Sequence, residues 1–204
     1  STGVNSISQI NTIKKFLKKE RLKNTIFLTP DGEFRDEIET AIKISKIKLK
    51  DKFIYNSDPT LLTQEISNLT RYSIRKQNLK NEIERVKKSN IENKKQKLEN
   101  LKKKDTLGGI NFDSIIVADF DENLKSVLTS FLYTDVSSNR ISYIAFNQWF
   151  DESLLKEEGL HPIYFPSVNK KNFDSFFKKY QNKFNSEPNH ISFLSYDLVG
   201  LVYY

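Results

Sequence analysis

The chain has 204 residues, of which 37% are hydrophobic, enough apolar material for a packed core and too much for wholesale disorder. It contains no cysteine, which excludes disulfides, thiolate metal sites and cysteine nucleophiles, and no apolar run approaches the ~18 residues of a membrane-spanning helix. The formal net charge is +7, and residues 76–104 alone hold 11 Lys/Arg against 4 Glu (11 − 4 = 7), so the remainder is close to neutral.

In chain order, "TIKKFLKKERL" (12–22) has helical spacing through Ile13, Phe16 and Leu17. "NTIFLTPDGEF" places a short buried strand at Ile26–Leu28, closed by the turn residues Thr29-Pro30-Asp31-Gly32. "EFRDEIETAIKIS" returns to helix, with Phe34, Ile38, Ala41 and Ile42 on one face and acidic residues in its first turn, where the helix dipole favours them. "DKFIYNSDP" is a second strand, and Ser57 or Asp58 caps the helix that begins near Thr60. From Leu61 the pattern stays helical, falters at Ser89–Asn93 and resumes at Leu98 and Leu101. This predicts a helical hairpin over 62–105, with one long helix as the alternative. Glu84/Lys88 and Glu99/Lys103 are i,i+4 pairs in the favourable order.

After "DTLGGIN" breaks the helix, "FDSIIVAD" reads as a strand, and a helix follows at about 122–132. "RISYIAFN" is a further strand, "DESLLKEEGL" a short helix and "PIYFPS" another strand. "KKNFDSFFKKYQNKF" is an amphipathic helix, and "HISFLSYDLVGLVYY" a more apolar one that stops in mid-course. The chain starts at Ser1 and has no methionine, from which we expect a processed product or part of a longer one. Strands without period-2 alternation, separated by helices, predict an α/β layer fold with a mainly parallel sheet. Ligands of such folds sit at the carboxyl ends of the strands, here Thr29–Asp31, Asn56–Asp58, Asp119–Asp121 and Asn147–Trp149.

The Asp119-x-Asp121 pair resembles the first motif of haloacid-dehalogenase-like phosphatases, where one Asp attacks phosphorus and the other handles the leaving-group proton. Here Glu122-Asn123 stands where that family has Gly-Thr, and no later strand ends in acidic residues to hold magnesium. The two histidines, His161 and His190, lie near prolines, and no G-x-S-x-G elbow is present. "TLGGIN" matches no phosphate-cradling motif, so no cofactor is expected. The basic segment 76–104 has no aromatic residue to stack on bases and interleaves its lysines with Glu and Asn, as a solvated helical face does; nucleic acid, anionic lipid and an acidic partner are the alternatives. Trp149, the only tryptophan, suits either a cleft or the cover of a sheet edge.

Together, the Phe112-Asp113 strand, the strand leading to Trp149, the Phe- and Tyr-rich helix "NFDSFFKKYQNKF", Pro188 and Tyr196-Asp197 resemble the second lobe of type I periplasmic binding proteins, the Leu/Ile/Val-binding-like group. "FLTPDGEFRDE" looks like the strand and helix start where that family has Asp-x-x-Tyr/Phe-Gly. Within the group the chain is most similar to a penicillin-binding-protein-activator branch, relatives of the lipoprotein LpoA, in which a charged helical insertion precedes the Phe-Asp strand as Arg71–Lys104 does here.

The resemblance implies a three-layer Rossmann-like lobe spanning 1–204, with a first lobe preceding Ser1 and helices of 168–204 packing on it. It implies ligand contacts at Asp31 and Phe34, at Phe120 and Asp121, and at Asn147 and Gln148, with Trp149 beside them. Amino-acid binders of the family have smaller residues where this chain has Phe120-Asp121, and a carboxylate for the ammonium group that Asn147-Gln148 lack. The implied role is a non-enzymatic periplasmic lipoprotein module that binds a small solute or regulates a cell-wall synthase. No nucleic acid is expected as a partner, and the membrane is expected to be touched only through an unseen lipid anchor.

Overall fold

The computed structural model describes residues 5–32, 34–147, 159–188 and 192–193. The strands are β1 (Thr25–Pro30), β2 (Asp51–Tyr55), β3 (Ser114–Val117), β4 (Ser142–Ala145) and β5 (Ile163–Tyr164). The helices are α1 (Ser6–Lys19), α2 (Phe34–Ser45), α3 (Pro59–Leu69), α4 (Tyr72–Lys88), α5 (Lys94–Lys102), α6 (Asp121–Tyr133) and α7 (Lys170–Phe184). The five strands form one sheet in the order β2-β1-β3-β4-β5, and every neighbouring pair is parallel.

A parallel sheet is buried on both faces, and its central strands obey this: all four residues of β3, Ser114–Val117, are buried, whereas the edge strand β2 leaves Asp51, Lys52 and Ile54 exposed. Alternate side chains feed two separate cores. Ile26, Leu28, Ile115, Val117 and Tyr143 face α3 and α6, meeting Leu62, Ile66, Leu124, Val127 and Phe131. Phe27, Ile116, Ile144 and Phe146 face α1 and α2, meeting Ile10, Ile13, Leu17, Ile38 and Ala41. The result is the three-layer α/β arrangement that the alternation of strands and helices predicts.

Caps set several helix boundaries. Asn5 accepts from the Ser8 N–H at 2.8 Å, which starts α1 six residues before the apolar rhythm becomes plain at Thr12. Asp58, not Ser57, caps α3, accepting from the N–H groups of Thr60 and Leu61 at 2.9 and 3.2 Å, with Pro59 in the first turn. Asn169 does the same for α7 through the Asn172 N–H at 3.2 Å.

The long helical stretch divides differently from the sequence expectation. Arg71 takes a left-handed backbone, φ 53°, and ends the run that began at Pro59. α3 therefore belongs to the layer over the sheet, and the hairpin consists of α4 and α5 alone, around its own small core of Leu79, Val86 and Leu101. Its ion pairs also differ. Glu82 binds Arg85 at 2.7 Å and reaches across to Lys97 on α5 at 3.3 Å, while Glu84 pairs with Lys87 at 3.6 Å. Lys103 lies past the last turn of α5, and no Glu99–Lys103 pair forms among the described residues.

Arg75 locks the hairpin to the body. Its side chain is 2% exposed and donates to the carbonyls of Thr70 (3.3 Å), Thr134 (3.1 Å) and Asp135 (3.0 Å) and to the Thr106 hydroxyl (2.6 Å). Burial lowers its pKa from the ordinary guanidinium value, with Arg140 adding to the effect and Asp135 opposing it. Thr134 and Asp135 follow α6 and precede β4, so the hairpin is rooted at the amino-terminal edge of the sheet, the edge away from the strand ends that a ligand would read.

The expected helix at 151–160 and the final helix from His190 fall almost wholly outside the described residues.

Candidate functional site: the crevice at the carboxyl edge of the sheet

With the order 2-1-3-4-5, the chain leaves β1 towards β2 on one side and leaves β3 towards β4 on the other. The crevice of a doubly wound sheet opens where the winding reverses, between β1 and β3. Backbone pairing shows the divergence. Contact between β1 and β3 ends with the Ala118 N–H donating to the Leu28 carbonyl at 2.9 Å. β1 stays with β2 further, to the Asp31 N–H on the Tyr55 carbonyl at 3.0 Å. Thr29 sits at the parting, 5% exposed, and its hydroxyl finds no hydrogen-bond partner among the described residues.

The structure brings four expected site residues to this crevice. Asp31 is exposed in the loop after β1, and Arg35 in the first turn of α2 binds it at 3.3 Å. Phe34 opens α2, and its ring lies 6.0 Å from that of Phe120, in the loop after β3. Phe120 in turn meets Phe146 at the end of β4, 6.5 Å away and edge-on, and Phe146 meets Phe27 of β1 at 6.2 Å. This row of rings ties three strand ends together and runs from the crevice mouth into the core under α1 and α2. Asp121 is exposed at the start of α6 with φ 50°, in the left-handed region that Asp tolerates better than most residues.

Asn147 is placed otherwise than a rim residue. It is 2% exposed, and its backbone N–H donates to the Gln9 side chain of α1 at 2.7 Å. Gln9 was not singled out by sequence; a buried glutamine on an otherwise apolar helix face was the available signal. Gln148 and Trp149 lie outside the described residues.

Asp119 forms the floor. It is 6% exposed, accepts the Tyr55 hydroxyl at 2.5 Å and the Phe120 N–H at 2.9 Å, and has the Asn123 amide at 3.5 Å. Burial first, and then the bond to this carboxylate, push the Tyr55 phenol far above its ordinary pKa, so it stays protonated as a donor. An aspartate engaged in this way braces the β2 and β3 ends against each other, whereas a phosphoryl-attacking nucleophile needs a carboxylate turned to the substrate. Among the described residues no three His, Cys, Asp or Glu side chains converge as metal ligands. Beside the crevice, between the amino-terminal ends of α1 and α2, lies a pocket of about 370 Å³ lined in part by Ser6, Asp36, Glu37 and Thr40.

No family model matches this sequence, and no curated protein matches it. Among solved structures, the chain is similar to an extracellular ligand-binding receptor from Verminephrobacter eiseniae, with a TM-score of 0.52 at 9% identity over 90% of this chain and 45% of that one. It is also similar to a solute-binding protein of an ABC transporter from Rhodopseudomonas palustris, solved with 3,4-dihydroxybenzoic acid, with a TM-score of 0.46 at 14% identity over 98% of this chain and 48% of that one. The chain thus spans about half the length of each. The fold is that of a type I periplasmic-binding-protein-like lobe. Among the described residues no helix is long and apolar enough to cross a membrane.

Proposed function

We propose that this chain is one lobe of a two-lobe extracytoplasmic binding protein and that a small solute is held against the carboxyl edge of its sheet. The observation that carries this reading is the junction of Phe34 and Phe120, 6.0 Å apart, across the switch point between β1 and β3, with the carboxylates of Asp31 and Asp121 exposed at the same edge. Aromatic faces supply apolar contact, and the two aspartates accept hydrogen bonds from the solute. A second lobe closing by hinge motion would complete the enclosure. The protein is then a receptor and not an enzyme, since its best-placed acid, Asp119, serves to brace the strand ends.

A second reading, favoured by the resemblance to penicillin-binding-protein activators, is that the lobe belongs to an envelope lipoprotein and regulates a peptidoglycan synthase. Its support is the position of the α4–α5 hairpin ahead of the Phe112-Asp113 strand.

The test is a thermal-shift screen against amino acids, small carboxylates and small anions. A true ligand at about 100 times its Kd stabilises the protein by about 2.7 kcal/mol, and the shift grows with concentration. The shift should shrink in Phe120→Ala and in Asp121→Gly, the latter being compatible with φ 50°. A flat response across the panel, or a shift unchanged in both variants, overturns the solute reading. Co-purification with a peptidoglycan synthase alongside a flat panel would select the second reading.

A further inference from the structure

We infer that the α4–α5 hairpin is a docking element for an anionic lipid surface, with its tip, Ser89–Asn93, touching the bilayer. The inference is independent of what the crevice binds. Residues 76–104 carry the whole formal excess of charge, 11 basic against 4 acidic, and two of those acids, Glu82 and Glu84, are already spent on Arg85, Lys97 and Lys87. At the tip, Lys88, Lys94 and Lys95 form no ion pair among the described residues. Between them Ile91 stands 41% exposed, a large aliphatic side chain with no place in the hairpin's own core. Three lysines, against the tip's single exposed acid Glu92, around a protruding aliphatic residue match the two layers of a lipid interface: headgroup phosphates outside and acyl chains just beneath.

The chemistry fits nucleic acid less well. The segment has no aromatic residue to stack on bases. Its one arginine, Arg85, donates to both carboxylate oxygens of Glu82 at 2.7 and 2.8 Å, so no guanidinium fork is available for a base edge. The remaining lysines act as point charges, which suffice for a diffuse anionic surface. Geometry permits the docking. The hairpin is rooted through Arg75 at the amino-terminal edge of the sheet, the edge opposite the crevice.

The experiment is co-sedimentation of the 204-residue chain with vesicles of phosphatidylcholine, with and without about one-third phosphatidylglycerol, at low and at physiological salt. We expect partitioning onto the anionic vesicles only, weakening as salt rises. Each tip lysine contributes about a fivefold increase in partitioning, so Lys88→Gln/Lys94→Gln/Lys95→Gln should lose roughly a hundredfold. Ile91→Ser should lose several-fold with the charge unchanged. Lys15→Gln/Lys18→Gln/Lys43→Gln, the same charge change on α1 and α2, should lose far less. Unaltered far-ultraviolet circular dichroism keeps a folding defect from standing in for a binding one. Four results overturn the inference: equal binding to neutral vesicles, full binding by the tip variants, an equal loss in the α1/α2 control, or tighter binding to duplex DNA than to anionic vesicles at the same salt.

Discussion

Asp119, expected at the rim of the crevice, is instead buried and bound to Tyr55. The phenol donates to the buried carboxylate at 2.5 Å. Asp119→Ala should therefore cost more than the bond itself, about 2 kcal/mol, because the Tyr55 hydroxyl is left without its acceptor. Tyr55→Phe should cost about 1 kcal/mol, and the double variant less than the sum, which urea denaturation of all four proteins would measure. Arg75 makes the complementary case. Arg75→Met keeps the stem but strands the carbonyls of Thr70, Thr134 and Asp135, and should destabilise by about 3 kcal/mol in the same measurement. A wild-type denaturation midpoint for Arg75→Met would mean that this hydrogen-bond network contributes nothing to stability.

At the scale of elements, the hairpin is close to a separable unit. Its core of Leu79, Val86 and Leu101 is distinct from both cores of the sheet, and its base is closed by the Leu107 N–H on the Arg75 carbonyl at 3.0 Å. Replacing residues 77–104 with a short glycine-serine linker keeps Arg75 and Thr106 and should leave the far-ultraviolet spectrum of an α/β protein and a single cooperative melt. Loss of cooperativity would show that the sheet depends on the insertion. Much of this level was legible in the sequence. Apolar runs such as Ser114-Ile115-Ile116-Val117 announced strands covered on both sides, and the turn and cap residues Asp58-Pro59 marked where α3 begins. The break at Arg71 was not legible, because nothing in Thr70-Arg71-Tyr72 forbids helix and the turn is tied by a bond from the buried Arg75 to the Thr70 carbonyl. In the crevice, sequence placed Asp31, Phe34, Phe120 and Asp121 at strand ends, but not the burial of Asn147. Its partner Gln9 is 138 residues away, and periodicity carries no information about such pairs.

At the scale of the molecule, the carboxylates decide the response to acid. Glu82 is held from its ordinary 4.5 down to about 2 by the hydrogen bond from Arg85, together with Lys97, against a smaller opposing effect of desolvation. Asp113 is also lowered: burial opposes ionisation, but the backbone N–H groups of Lys23 and Asn24 and the Ser114 hydroxyl outweigh it. Both are depressed carboxylates, so their stabilising effect is complete above the unfolded-state values near 4 and is lost as pH falls through the folded ones. A pH titration followed by circular dichroism should be flat above about 5 and should fall between about 4.5 and about 2; Glu82→Gln should blunt the fall in the helical signal. Stability that rises on acidification through this window would contradict both assignments.

The pairing of β1 with β3 also governs how the chain finds its fold. Thr25 and Ser114, whose hydroxyls meet at 2.8 Å, are 89 residues apart in sequence. The middle of the sheet is therefore its most distant contact to close, and closing it costs chain entropy before any core forms on either face. Much of that span is helix, which winds up locally in microseconds and draws Thr25 and Ser114 together before they meet. Kinetically, the insertion is expected to act as a spacer already reeled in, so that refolding should wait on β3 reaching β1 and not on the hairpin.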